Sequence, residues 1–145
     1  MTQPAKLTKA DRELIAAATA AIKERYRYDW QEVGAALRTR SGRVYSGVNL
    51  DAYLGRMAVC AEAVALGRAL VDLGDAGIET IVAVRHPDPE EKNQAVVVVS
   101  PCGACRELIF DYDRNARVIV PAGRSAAVMP IADLLPNKYR RGPER

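Results

Sequence analysis

VCAEAVALGRALVDLG, Val59–Gly74, is the stretch on which the fold turns. From Cys60 to Leu73, positions such as Ala61, Val64, Ala65 and Ala69 are small or apolar almost all round, the pattern of a helix buried inside a domain. Gly74 is placed to close it as a C-cap. IETIVAV (Ile78–Val84) follows, a short apolar run that reads as a buried strand. A buried helix feeding a buried strand is the working unit of an α/β chain.

The flanks extend this pattern in both directions. Thr8 can cap a helix running to about Arg25, with Asp11 at its third position and Leu14, Ile15, Ala18, Ala21 and Ile22 at helical spacing. VGAALRT (Val33–Thr39) and RVYSGVN (Arg43–Asn49) flank Ser41-Gly42 and read as a hairpin. Beyond the buried strand, HPDPEEKN (His86–Asn93) is a polar surface loop, and AVVVVS runs extended. Gly103–Tyr112 reads as a third helix. Arg117–Pro121 and Ala126–Met129, joined through Gly123, suggest a final hairpin, with a short helix at Ile131–Leu135 stopped by Pro136. The expectation is one domain over residues 1–145, a three-layer α/β/α arrangement around a mixed sheet.

Composition narrows the function classes. The chain is 49% hydrophobic and 27% charged, as an ordinary globular domain is, and its net charge of +3 is too mild to predict nucleic-acid binding. Part of that charge sits in the tail KYRRGPER, with Lys138, Arg140, Arg141 and Arg145, which reads as a solvated end. No apolar run approaches a membrane span, and the N-terminus has no apolar signal segment. A cytoplasmic chain with reduced thiols is therefore expected.

Three cysteines are an odd count for a closed disulfide framework. Cys102 and Cys105, in SPCGAC, form a CxxC that by itself suits a redox dithiol or half a zinc site. Adding Cys60 gives the three protein ligands that a catalytic zinc ion takes while keeping one position open; a structural zinc site would need a fourth. The sole histidine, His86, sits at a strand end beside Pro87 and is read as a surface or supporting residue. Three thiolates around a divalent ion leave a net charge near −1. Both cysteine motifs open helices, whose N-termini stabilise anions. Glu62, two positions from Cys60, then has a chemical use: zinc lowers the pKa of its water toward 7, and an adjacent carboxylate can take a proton and pass it on.

VGAAL, GVN, CAE and SPCGAC together resemble the small cytidine deaminase superfamily over nearly the whole chain. That resemblance implies zinc held by Cys60, Cys102 and Cys105, with Glu62 as proton shuttle. It also implies a five-stranded mixed sheet flanked by helices and a homotetramer with active sites near subunit boundaries. Family members acting on cytidine carry an Asn-x-Glu pair that binds the sugar, eleven positions before the first cysteine; here Asn49 holds that spacing and Asp51 replaces the glutamate. A phenylalanine that packs on the pyrimidine two positions before VGAA is replaced by Gln31, next to Trp30. An arginine that hydrogen-bonds the thiolates after CAE is replaced by Ala63, so charge compensation falls on the helix ends.

DAYLGRMAVCAEAVALG, TIVAVRHP, SPCGACRELIFDY and ADLLPNKY are similar to the blasticidin-S deaminase branch, particularly its bacterial form. The implied reaction is hydrolytic deamination of a free cytosine nucleoside at C4, with blasticidin S as substrate and cytidine or deoxycytidine as the alternative. Ala61 and Ser100 are implied to read the base, and Asn49, Asp51 and Tyr139 to meet the sugar or its substituent. A polynucleotide substrate is not expected, since the editors of the superfamily carry a histidine in place of Cys60.

Overall fold

A computed structural model describes residues 3–74 and 77–143 of the chain. Arg145, counted above in the basic tail, lies outside the described residues. The first helix, α1 (Lys9–Arg25), begins where the sequence predicts. The Thr8 hydroxyl accepts from the Asp11 N–H, and the Asp11 carboxylate accepts from the Thr8 N–H, a reciprocal capping box. Strands β1 (Val33–Thr39) and β2 (Val44–Val48) then pair antiparallel around Gly42, which sits at φ +91°. Helix α2 (Ala61–Leu73) has Cys60 as its N-cap and ends on Gly74 in the left-handed region. Strand β3 (Ile78–Arg85), the short β4 (Val97–Val99) and helix α3 (Gly103–Tyr112) follow. The chain closes with the hairpin β5 (Arg117–Ala122) and β6 (Ser125–Pro130), then a 3-10 turn at Ile131–Leu134.

The sheet runs β2-β1-β3-β5-β6, and β4 pairs with β3 off that path. Among the described residues only β3 and β5 pair parallel, so the five-stranded mixed sheet is present with one short strand added. β5 pairs with β3 at Thr80 and Ile81, whereas β4 pairs at Ala83–Arg85. Of the AVVVVS run, only Val97–Val99 has a strand to pair with, which is why it is shorter than its β-branched composition suggests.

Alternation along the strands divides the core into two layers. Leu14, Ala18 and Ile22 of α1 pack on Ala36, Val82, Val84, Ile119 and Val128. On the other face Ala65, Leu66 and Ala69 of α2 and Cys105 and Ile109 of α3 pack on Leu37, Ile81, Val118 and Val120. The three-layer expectation is met. No helix among the described residues is long and apolar enough to cross a membrane.

Small side chains explain how closely the helices approach. Gly47, Ala35, Ala83 and Val99 lie opposite one another across β2, β1, β3 and β4, a cross-strand row. Ala61, in the first turn of α2, packs against Ala35 and Ala83, with Val33 and Val99 beside them. A Cβ on Gly47 would sit 2.7 Å from the Ala65 backbone nitrogen and 3.0 Å from the Ala61 carbonyl oxygen. Gly47→Ala is therefore expected to lift the first turn of α2, costing about 1–3 kcal/mol as overpacking does. Because that turn follows Cys60 and carries Glu62, the variant should also retain less zinc. Thermal unfolding and zinc content per chain check both effects.

Candidate active site

The head of α2 and the head of α3 meet at one end of the molecule, above the small-residue row. Cys60 and Cys102 are the N-cap residues of the two helices, and Cys105 lies in the first turn of α3. The Cys60 and Cys102 Sγ atoms are 3.7 Å apart, and all three sulfurs lie within 4.8 Å of one another. Two thiolates on a tetrahedral zinc, each with a Zn–S bond of about 2.3 Å, stand about 3.8 Å apart. None of the three is in a disulfide; Cys105 is buried and the other two face outward. The donor set, its spacing and its one open side fit a zinc ion.

Glu62 completes the cluster. It is only 5% exposed although it carries a carboxyl group, and it lies against Cys105. Burial pushes that carboxyl above the usual carboxylate range, its own backbone N–H and the Cys105 thiol offsetting part of the effect. Burial likewise pushes the Cys105 thiol far up, with the charge of Glu62 adding to it, and it raises Cys60. At Cys102 burial acts in the same direction but is outweighed, chiefly by the Cys105 N–H donating to its sulfur at 3.5 Å, so this thiol is lowered. Burial thus disfavours charge on Glu62, Cys60 and Cys105, and a divalent cation at their centre reverses that for the sulfurs, because a coordinating thiol is deprotonated outright. The two helix N-termini supply positive potential at the same point.

The remaining predicted residues divide. Ala61 is fully buried beneath the site and Ser100 is exposed just before Pro101 and Cys102. Asn49 is tied in from β2. Its Oδ1 accepts from the Glu32 and Val33 N–H groups at 2.9 and 3.0 Å, and its Nδ2 donates to the Trp30 carbonyl at 2.9 Å. That leaves one amide N–H for a ligand. Asp51 is exposed and accepts from the Ala52 N–H at 2.7 Å. Leu50 and Val59 exchange backbone hydrogen bonds of 2.9 and 2.8 Å, pinning this loop beside Cys60. Tyr139 is elsewhere. It lines a groove of about 880 Å³ with Arg40, Gly77 and Asp113, at the C-terminal end of α3. A helix of ten residues is about 15 Å long, so within one chain Tyr139 is not grouped with Glu62. His86 is stacked on Tyr26, ring centroids 3.7 Å apart, outside the thiol cluster.

Two sets of contacts near the site are not legible in the sequence. Trp30 packs against Tyr53, centroids 5.3 Å apart, with the Arg27 guanidinium 5.4 Å from the Trp30 ring. Arg106 donates to the Pro101 and Leu134 carbonyls. Neither residue type carries a motif, and each matters only through its non-local partners.

An α/β/α domain with three thiols and a buried carboxyl at paired helix N-termini has the site of a zinc-dependent hydrolase. The family described as the cytidine and deoxycytidylate deaminase zinc-binding region matches residues 8–121, and the chain belongs to it. It is 44% identical over 135 residues to blasticidin-S deaminase of Bacillus cereus, covering 93% of this chain and 96% of that one. It is 29% identical to cytidine deaminase of Sporosarcina psychrophila, covering 89% and 90% of the two chains. Among solved structures, cytidine deaminase from Burkholderia pseudomallei superimposes with a TM-score of 0.71 at 28% identity, covering 92% of this chain and all of the other.

Proposed function

We propose that the chain deaminates a free cytosine nucleoside at C4, with blasticidin S as its substrate. The observation that carries the chemistry is the buried Glu62 carboxyl beside three clustered thiols. Cys60, Cys102 and Cys105 would hold one zinc ion, which when bound supplies an activated water near neutral pH. Glu62 takes a proton from the attacking water and delivers it to ring N3. As the C4–N bond breaks, the carboxylate takes the proton of the new C4 hydroxyl and passes it to the leaving amine, so that ammonia departs and a C4 carbonyl remains. Ala61 and Ser100 contact the base through the backbone, while Asn49 and Asp51 meet the sugar or its substituent.

Blasticidin S is favoured over cytidine by the 44% against 29% identity of the two relatives, and by Asp51 and Gln31 standing at the nucleoside-binding positions. A cytoplasmic homotetramer is part of the same reading. Val71 is 91% exposed on α2, and Val44 is exposed on the edge strand β2. A neighbouring copy packed on such faces is what would bring a Tyr139 to the substrate.

Ammonia release from zinc-loaded protein, offered blasticidin S, cytidine and deoxycytidine at equal concentration, tests the assignment. Turnover of blasticidin S at least about tenfold faster is expected, a difference of about 1.4 kcal/mol in transition-state binding. Preference for cytidine or deoxycytidine makes the chain a salvage deaminase instead. No turnover of any of the three refutes the substrate class.

A further inference from the structure

We propose that Arg106 is a positioning residue for the metal half-site at the head of α3, bracing the Pro101–Cys102 turn against the C-terminal segment. The proposal rests on reading Cys102 and Cys105 as zinc ligands. Arg106 directly follows Cys105, and its side chain runs back past the helix start. Nε donates to the Pro101 carbonyl at 2.9 Å and Nη1 donates to the Leu134 carbonyl at 3.1 Å.

The first of these bonds acts on a peptide that the helix itself does not hold. The first carbonyl taken into α3 is that of Cys102, which accepts from the Arg106 N–H at 2.9 Å. The Pro101 carbonyl lies one residue earlier, outside the helix ladder, on a buried residue. A buried carbonyl needs a donor, and Arg106 supplies it. The peptide whose oxygen is held is the one whose nitrogen belongs to Cys102. Holding that plane holds the Cys102 Cα, from which its Sγ is carried toward the other two sulfurs.

The second bond makes the end of the chain part of this support. Leu134 closes the 3-10 turn that follows Ile131, and Ile131 is fully buried in the cluster that contains Cys105 and Ile109. Farther along, Lys138 Nζ lies 2.7 Å from both Glu107 and Asp111, with its side chain 6% exposed. Residues 131–138 thus run beside α3 and are fastened to it at both ends. Arg106 is the fastening that reaches the metal motif. One guanidinium can hold two carbonyls in a fixed fork, which a lysine ammonium cannot reproduce in the same geometry.

The test is zinc affinity, measured by competition with a chromophoric chelator, for the full-length wild type, Arg106→Ala, Arg106→Lys and Cys105→Ala. The cobalt-loaded forms are examined for the visible thiolate-to-cobalt bands. Arg106→Ala is expected to weaken zinc binding about 10–100-fold, as loss of an outer support of a ligand does, with altered cobalt bands. Arg106→Lys should fall between it and the wild type. Wild-type affinity and wild-type bands in Arg106→Ala overturn the proposal, even if its melting temperature drops. Should Arg106→Ala not fold, Arg106→Lys decides: reduced affinity supports the brace and wild-type affinity overturns it. Undiminished zinc binding by Cys105→Ala refutes the ligand assignment itself, and the brace falls with it.

Discussion

Glu62→Gln protein is expected to fold, to bind one zinc per chain and to turn over about 10²–10⁴-fold more slowly than the wild type, the range a positioned general acid–base contributes. Glutamine matches glutamate in shape and keeps an oxygen acceptor beside Cys105, so packing in the first turn of α2 is preserved. What it cannot do is accept a proton from water and release it to N3 or the amine. The loss should appear in kcat, with KM little changed, because the carboxylate's work is done in the transition state. Glu62→Asp should also be slow: retracting the carboxyl by one methylene moves it about 1 Å, and misplacement on that scale costs about 10²-fold. The glutamine variant should be at least as stable as the wild type, since burial pushes this carboxyl above its usual range and its removal relieves that penalty. Steady-state kinetics, zinc content and thermal melts on the same preparations separate these statements. Wild-type kcat in Glu62→Gln would remove Glu62 from the mechanism. Loss of zinc with loss of activity would make it a support of the metal instead.

The parts of this site that could be read from the sequence are those whose chemistry is scarce. A CxxC, a third cysteine and an acid two positions from that cysteine have few other uses together, and the cluster at 4.8 Å or less agrees with the geometry expected of them. Local signals were equally readable. Gly103–Tyr112 is a helix with the predicted bounds, starting at the Cys102 cap. Thr8 and Asp11 make the predicted capping contacts, and Gly42, Gly74 and Gly123 all take positive φ. Residues whose role depends on distant backbone were not readable. Asn49 carries the spacing of a sugar ligand, yet its amide spends three hydrogen bonds holding residues 30–33, a clamp visible only once β1 and β2 are paired. The length of β4 and the distance of Tyr139 from Glu62 depend in the same way on contacts between segments remote in sequence.

Asp11→Ala is expected to cost about 2–4 kcal/mol, the loss of a helix cap together with buried contacts to charged groups, in a chain whose total stability should be about 5–15 kcal/mol. Asp11 is fully buried at the third position of α1 and does two things at once. Its Oδ2 accepts from the Thr8 N–H at 2.9 Å, completing the helix cap. It also faces Arg38 at 3.6 Å and Arg117 at 3.5 Å. Arg38, Thr80 and Arg117 are opposite one another across β1, β3 and β5, so one carboxylate under α1 neutralises two cations from separate strands. Removing Asp11 leaves Arg38, 13% exposed, with Glu79 at 3.2 Å and the Ala10 carbonyl at 3.1 Å, and leaves Arg117, 38% exposed, partly screened by solvent, so the loss is that of two charge contacts and not of a cation's last partner. The cap and the charge can be measured separately. Thr8→Ala removes only the hydroxyl cap and should cost about 1 kcal/mol. Asp11→Asn keeps an oxygen for the Thr8 N–H but carries no charge, and should fall between the two. Denaturant unfolding of the zinc-loaded proteins gives all three values. If Asp11→Ala costs no more than Thr8→Ala, the carboxylate is only a helix cap and α1 is held to the sheet by its apolar face alone. The expected order places the electrostatic attachment of α1 to two strands above the cap in importance, at the face of the sheet opposite the zinc site.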